Sequence, residues 1–161
     1  MGTVLIAYSS KGGNTEKLAQ SIAKGVESVE GFSVIVKKAK DVATTDLVQA
    51  DGIIIGSPVY FGSVSAEVKD LIDRSVAVRR KLRDKVGAAF TTSGHVTGGK
   101  ELTMFNILAA MMIHEMIIVG DPIEAGGHFG VACTGTPEKS DENNGFALGE
   151  RVAKVILKLK K

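Results

Sequence analysis

Three stretches of this chain gather small residues, hydroxyls and flat or basic side chains at the spacing of ligand-binding loops. The first runs Ser9, Ser10, Lys11, Gly12, Gly13, Asn14 and Thr15. Its glycines let backbone N–H groups turn towards a ligand, Ser10 and Thr15 offer hydroxyls, and Lys11 offers a positive charge. A helix starting at Asn14 would add the partial positive charge of its N terminus, so the set fits an anion. A tight turn with Asn14 or Thr15 as a helix cap would use the same residues without a ligand. The second stretch follows Ser57 and reads Pro58, Val59, Tyr60, Phe61 and Gly62. The third reads Thr92, Ser93, Gly94, His95, Val96, Thr97, Gly98 and Gly99. His95, in a glycine-rich loop, is placed for a catalytic or binding role. His114 borders an apolar segment and reads equally as a site residue or as a core histidine. His128, in Gly-Gly-His-Phe-Gly, lines a substrate or punctuates a loop.

Other chemistries are disfavoured by what the chain lacks. The first turn carries no G-x-G-x-x-G, so an ordinary dinucleotide site is not expected there. Residues 94–100 spell G-x-x-x-x-G-K, but Glu101 follows where a Walker loop needs Ser or Thr to hold magnesium. No His or carboxylate pair has metal-ligand spacing, so no metal site is expected. The single cysteine, Cys133, has no His or Asp placed beside it in sequence and reads as a buried, inert thiol. One cysteine also leaves no internal disulfide, which leans towards a cytoplasmic setting. Lys plus Arg is 20 and Asp plus Glu is 18, a net charge of +2 that is too mild to imply nucleic acid. No basic segment leads into a long apolar one at the start, and no apolar run is long enough to enter a membrane.

The elements that must position these loops follow from apolar patterning. With 161 residues and 44% hydrophobic content, the chain reads as one domain over residues 1–161. Continuous apolar runs at 4–8, 32–36, 53–55, 86–91 and 116–119 predict five strands covered on both faces. Leu18, Ile22 and Val26 predict a helix over 14–28, Val68, Leu71 and Ile72 a second, and Val152, Val155, Ile156 and Leu159 a last one. Leu102, Phe105, Leu108, Ala109 and Met112 form a further helical stripe. An extra helix has room after the second strand, and residues 120–145 form the longest irregular segment. Strands alternating with helices imply an α/β fold, a three-layer doubly wound sheet of five parallel strands. Its ligand would sit at the carboxyl ends of the strands, where all three loops fall. Met104, Met111, Met112 and Met116 with Phe105 read as core, or as a helix face used for dimerisation. The basic run Arg79, Arg80, Lys81, Leu82, Arg83 solvates a helix end or docks an acidic electron-transfer partner.

Several of these segments carry a resemblance. Residues 10–16 (SKGGNTE) resemble the phosphate loop of flavodoxins, and 56–62 (GSPVYFG) the second flavin loop of the flavodoxin-like NAD(P)H:quinone oxidoreductases. Residues 91–99 (TTSGHVTGG) resemble the third loop of that branch, 113–116 (IHEM) its histidine-containing entry to strand five, and 126–130 and 148–153 its C-terminal segment. The chain is thus similar to flavodoxin-like FMN proteins along nearly all its length. The resemblance implies FMN, with Ser10 to Thr15 at the phosphate, Ser9 beside them at the cofactor, Pro58 to Gly62 along the isoalloxazine ring and Thr92 to Gly99 at its pyrimidine edge. It implies His95 and His114 near the flavin, His114 from its own or a neighbouring subunit. It also implies NAD(P)H-dependent two-electron reduction of quinones or similar acceptors, in a possible homo-oligomer. The alternative is a flavodoxin, an electron carrier between redox partner proteins. Gly12 stands where many flavodoxins carry a hydroxyl, with Lys11 as the compensating group, and Tyr60, Phe61 and His95 are the only flat side chains in the loops. Many flavodoxins are strongly acidic, which opposes negative charge on reduced flavin; a net charge of +2 lightens that penalty and tilts the reading to the enzyme. A cofactor-free receiver domain of the same fold would need acidic residues where Ser9, Ser10 and Ser57 stand.

Overall fold

A computed structural model describes residues 1–160. Its strands are β1 (Gly2–Tyr8), β2 (Phe32–Lys38), β3 (Gly52–Pro58), β4 (Val86–Ser93), β5 (Ile117–Ile118) and β6 (Val131–Thr134). Its α-helices are α1 (Asn14–Glu27), α2 (Thr44–Gln49), α3 (Ala66–Ser75), α4 (Lys100–Ile113) and α5 (Lys139–Leu159). The sheet is parallel in the order β2-β1-β3-β4-β5, with β6 also paired to β4. The chain reverses its direction of winding between β1 and β3, and that switch point is where open α/β sheets leave a crevice.

The central strands need both faces covered, because β1, β3 and β4 are apolar at nearly every position. Val4, Ile6, Ile54, Ala88 and Phe90 pack beneath α1 and α5. Leu5, Ile53, Ile55 and Ala89 pack beneath the α3 and α4 side with Leu71, Ile107 and Met111. Helices α1 and α5 cross closely: a Cβ on Gly149 would strike the carbonyl of Ile22, and one on Gly25 the carbonyl of Phe146. Glycine is therefore required at both positions for the backbones to meet.

Three expectations are corrected. The fifth sheet position is shared by two short strands. β5 pairs with Val86 and Gly87, and the chain then leaves the sheet over residues 119–130 and returns as β6 beside Phe90 to Ser93. β6 lies in the segment expected to be irregular, and its four residues are too few to show a pattern. Helix α5 starts at Lys139, inside the segment expected to be irregular, its first turns being a polar run that periodicity misses; α2, by contrast, stands where an extra helix has room after the second strand. Finally, α4 is apolar on most sides. Thr103, Met104, Ile107, Leu108 and Met111 are buried, whereas Leu102, Phe105, Ala109 and Met112 face outwards. Phe105 and Met112 are thus not core residues, and a helix without a polar face hides which side turns inwards.

Candidate functional site

The loops after β1, β3 and β4 converge on a cleft of about 170 Å³ at the carboxyl edge of the sheet. Its first wall is the turn into α1. Gly13 precedes the helix at φ +90°, a left-handed conformation suited to glycine, and no side chain caps that helix. A Cβ placed on Gly12 or Gly13 would meet nothing within 4 Å. The free N–H groups of the first helical turn thus open onto the cleft edge. The Ser10 hydroxyl accepts from the Gly13 N–H at 3.1 Å and sets the turn. Behind it Ser9 is buried, its N–H donating to the Gly56 carbonyl at 3.2 Å, so it anchors the loop rather than lining the cleft. Thr15 is buried and its Oγ1 lies 2.8 Å from Thr92 Oγ1, joining the first loop to the third. Asn14 also lines the cleft, and the Lys11 ammonium stands 5.5 Å from the centre of the Tyr60 ring.

The second and third loops are built against each other. Pro58, Val59 and Tyr60 line the cleft, and the Val59 N–H donates to the Thr92 carbonyl at 2.8 Å. Tyr60 and Ser63 exchange backbone hydrogen bonds of 2.9 and 3.1 Å across a two-residue turn. Phe61, at φ +50°, and Gly62, at φ +73°, form that turn, and the Phe61 side chain is fully exposed. The buried Ser57 hydroxyl donates to the Pro58 carbonyl and accepts from the Ser65 N–H, tying the loop to the start of α3. Ser93 and Gly94 line the cleft; the Ser93 hydroxyl donates to the His95 carbonyl at 2.6 Å. His95 Nδ1 accepts from the Thr97 N–H at 3.2 Å, which leaves the ring proton on Nε2, and the imidazole is exposed. The Gly98 N–H donates to the His95 carbonyl, and Gly99 lies so close to Gly62 that a Cβ there would stand 3.1 Å from the Gly62 Cα.

This arrangement has counterparts. The family described as NADPH-dependent FMN reductase matches residues 36–129. An NAD(P)H dehydrogenase (quinone) from Archaeoglobus fulgidus is 34% identical over 99% of this chain and 100% of its own. The chain belongs to the NADPH-dependent FMN reductase family. A flavodoxin from Aquifex aeolicus is 32% identical over 97% of this chain and 88% of its own. The crystal structure of the flavodoxin, WrbA-like protein from Agrobacterium tumefaciens is similar with a TM-score of 0.85 at 25% identity, covering 98% of this chain and 99% of that one. The fold is flavodoxin-like, and members of the family bind FMN.

The residues present fit that group. The uncapped N terminus of α1, above glycines that face open space, offers N–H donors, hydroxyls and Lys11, a donor set that suits a phosphate. Lys11 is the only charged side chain among the cleft-lining residues.

One expected neighbour of the cleft, His114, lies elsewhere within the chain. His114 follows α4, which starts at the carboxyl edge and runs back across the sheet for 14 residues, about 20 Å of helix. Within one chain His114 therefore does not meet the three loops; it is buried at the amino edge, 2.7 Å from the Ser75 hydroxyl through Nε2, with Nδ1 unpartnered. The basic run around Arg79 to Arg83 lies at that same edge, before β4. It serves the end of α4, with Arg79 donating to the Ile113 carbonyl and Arg83 paired with Glu115. Docking an electron-transfer partner there would leave a full strand length between it and the cleft, which disfavours that role. Burial pushes the Cys133 thiol up to about 11, as an inert thiol requires. His128 sits in a loop organised by Asp121, a residue without a sequence signal. Its buried carboxylate accepts from the N–H groups of Gly127, His128 and Gly130 at 2.8–3.2 Å. No group of three or more His, Cys, Asp or Glu residues that could hold a metal, and no helix able to cross a membrane, is found among the described residues.

Proposed function

We propose that this chain binds FMN in the cleft and uses it for NAD(P)H-dependent two-electron reduction of quinones or similar small acceptors. The observation that carries this reading is the charge of the cleft wall. Its lining has no carboxylate and one positive side chain, Lys11. Bound FMN would supply the chemistry that accepts an electron pair from one substrate and passes it to the next. The chain's own residues hold and orient. Ser10, Lys11, Gly12, Gly13, Asn14 and Thr15 would bind phosphate, and Pro58 to Gly62 and Thr92 to Gly99 would flank the ring. Phe61 and His95 are both exposed and would be free to meet a substrate. The A. fulgidus relative, similar along its whole length, supports the same reading.

The second reading is an electron carrier, favoured by the A. aeolicus flavodoxin, which this chain matches over 97% of its own length. One anaerobic experiment separates the two. The protein is reconstituted with FMN and given NADH or NADPH while flavin absorbance is followed. Bleaching that a quinone reverses supports the reductase. Flavin that stays oxidised until a separate reductase is added overturns it in favour of the carrier.

A further inference from the structure

Helices α1, α2 and α5 each carry an acidic residue at the third position of the first turn: Glu16, Asp46 and Asp141. In α2 and α5 that carboxylate folds back over the helix end. Asp46 accepts from the Ala43 N–H and Asp141 from the Glu138 N–H, both at 2.8 Å. An acid there fills N–H groups that the start of a helix leaves unpaired. Glu16 does otherwise. Its carboxylate reaches the end of β1 and accepts from the Tyr8 hydroxyl at 2.8 Å. The Gly13 N–H, which a folded-back Glu16 would take, goes to the Ser10 hydroxyl. The N–H groups of Asn14, Thr15 and Glu16 have no acceptor among the described residues.

We infer that Tyr8 is a positioning residue of the cofactor site: by holding Glu16 off the first turn of α1, it keeps that turn open and sets the preference of the cleft for a phosphorylated flavin. This rests on the reading that places the FMN phosphate at residues 10–15. The positive end of α1 attracts the Glu16 carboxylate as it attracts a phosphate. A released Glu16 would take up the arrangement of Asp46 and Asp141, occupy the N–H groups a phosphate needs and repel the anion as well. No cation restrains it. Lys17, next in sequence, donates to the Pro137 carbonyl at 2.8 Å and pairs with Glu142 at 3.0 Å. Tyr8 suits the task because its ring is buried in the core, which fixes the place of its hydroxyl. Burial also keeps the proton on that hydroxyl, with a pKa pushed up to about 12, so it stays a donor.

The test compares FMN with riboflavin, which lacks the phosphate, by fluorescence titration of the full chain. The wild type is expected to prefer FMN. Tyr8→Phe is expected to lower FMN affinity about tenfold and to leave riboflavin affinity unchanged. Glu16→Asp keeps the charge but shortens the reach to Tyr8, and is expected to give the same selective loss. Adding Glu16→Ala to Tyr8→Phe is expected to restore FMN binding, since no carboxylate remains to cover the helix end. A hydrogen bond that merely braced the loop would not be rescued in this way. A wild type without preference for FMN overturns the placement of the phosphate and the role of Tyr8 with it. A wild type that prefers FMN, with variants that keep the full preference, overturns the role of Tyr8 alone. Equal loss of both flavins, or a loss that survives Glu16→Ala, does the same. If Tyr8→Phe disturbs the fold, Glu16→Asp against Glu16→Ala decides, with loss expected only in the first.

Discussion

Thr15 and Thr92, 77 residues apart in sequence, hold their hydroxyl oxygens 2.8 Å from each other in a buried contact. One hydroxyl must donate to the other, and the acceptor keeps its own proton for a further partner. With Thr15 at the open N terminus of α1, the arrangement in which Thr92 donates leaves the Thr15 proton available to an anion at the phosphate loop. Thr15→Ala is therefore expected to weaken FMN binding by about 0.5–1.5 kcal/mol. Thr92→Val should weaken it less, because it removes only the orienting partner. Fluorescence titration checks both, with riboflavin as the control because it lacks the phosphate. Equal losses for FMN and riboflavin would remove Thr15 from the phosphate site.

Phe61 is the side chain least explained by folding. It stands at φ +50°, its ring is fully exposed, and Gly62 beside it is also left-handed at φ +73°. A two-residue turn with both φ values positive ordinarily draws Asn or Gly at its first position. A phenylalanine there is strained and gains no packing in return, which is the signature of a residue kept for contact with a ligand. Phe61→Asn is expected to raise unfolding stability by roughly 0.5–1 kcal/mol while lowering flavin affinity or turnover. Thermal unfolding and FMN titration of the same variant check it. A stability that fails to rise would mean that the turn carries no strain.

Much of this layout is legible in local sequence, for a physical reason. β1, β3 and β4 are covered on both faces, so each appears as an unbroken apolar run. The three loops are legible because glycines and hydroxyls act where they stand. The contacts that hold the loops to each other are not legible, since Thr15 to Thr92 and Gly62 to Gly99 join residues far apart in the chain. β6 escapes because only Val131 and Cys133 of its four residues turn fully inwards. The resemblance implies His114 near the flavin, but within one chain the direction of α4, which no local pattern reveals, carries it to the other edge of the sheet.

At that edge His114 belongs to a relay of hydrogen bonds. The Ser75 hydroxyl donates to the Ile72 carbonyl at 2.6 Å, so it accepts from His114 Nε2–H at 2.7 Å. The relay ties the end of α3 to the end of α4. His114→Ala is expected to cost about 1–3 kcal/mol of stability and Ser75→Ala about 1 kcal/mol. The double variant should cost less than the sum, because each change already breaks the shared bond. Denaturant unfolding of the four proteins checks this, and strict additivity would mean that the bond contributes nothing.

Tyr8 closes β1 beneath the phosphate loop, with its hydroxyl donating to Glu16 at 2.8 Å. Burial, reinforced by the Glu16 carboxylate, pushes its pKa up to about 12. An unfolded tyrosine titrates near 10. Because the folded value is the higher one, the stability that Tyr8 contributes is fully present below pH ~10 and is lost as the pH rises towards 12. The chain has two tyrosines, so phenolate absorbance during an alkaline titration can be assigned by one substitution. In Tyr8→Phe the component near 12 is expected to vanish. Stability at neutral pH should fall by ~1 kcal/mol, since the Glu16 carboxylate loses its partner. The decline in stability above pH ~10 should flatten for the same reason. A titration near 10 that disappears with this substitution would show instead that the hydroxyl is open to water and that the Tyr8–Glu16 bond does not hold the base of the loop.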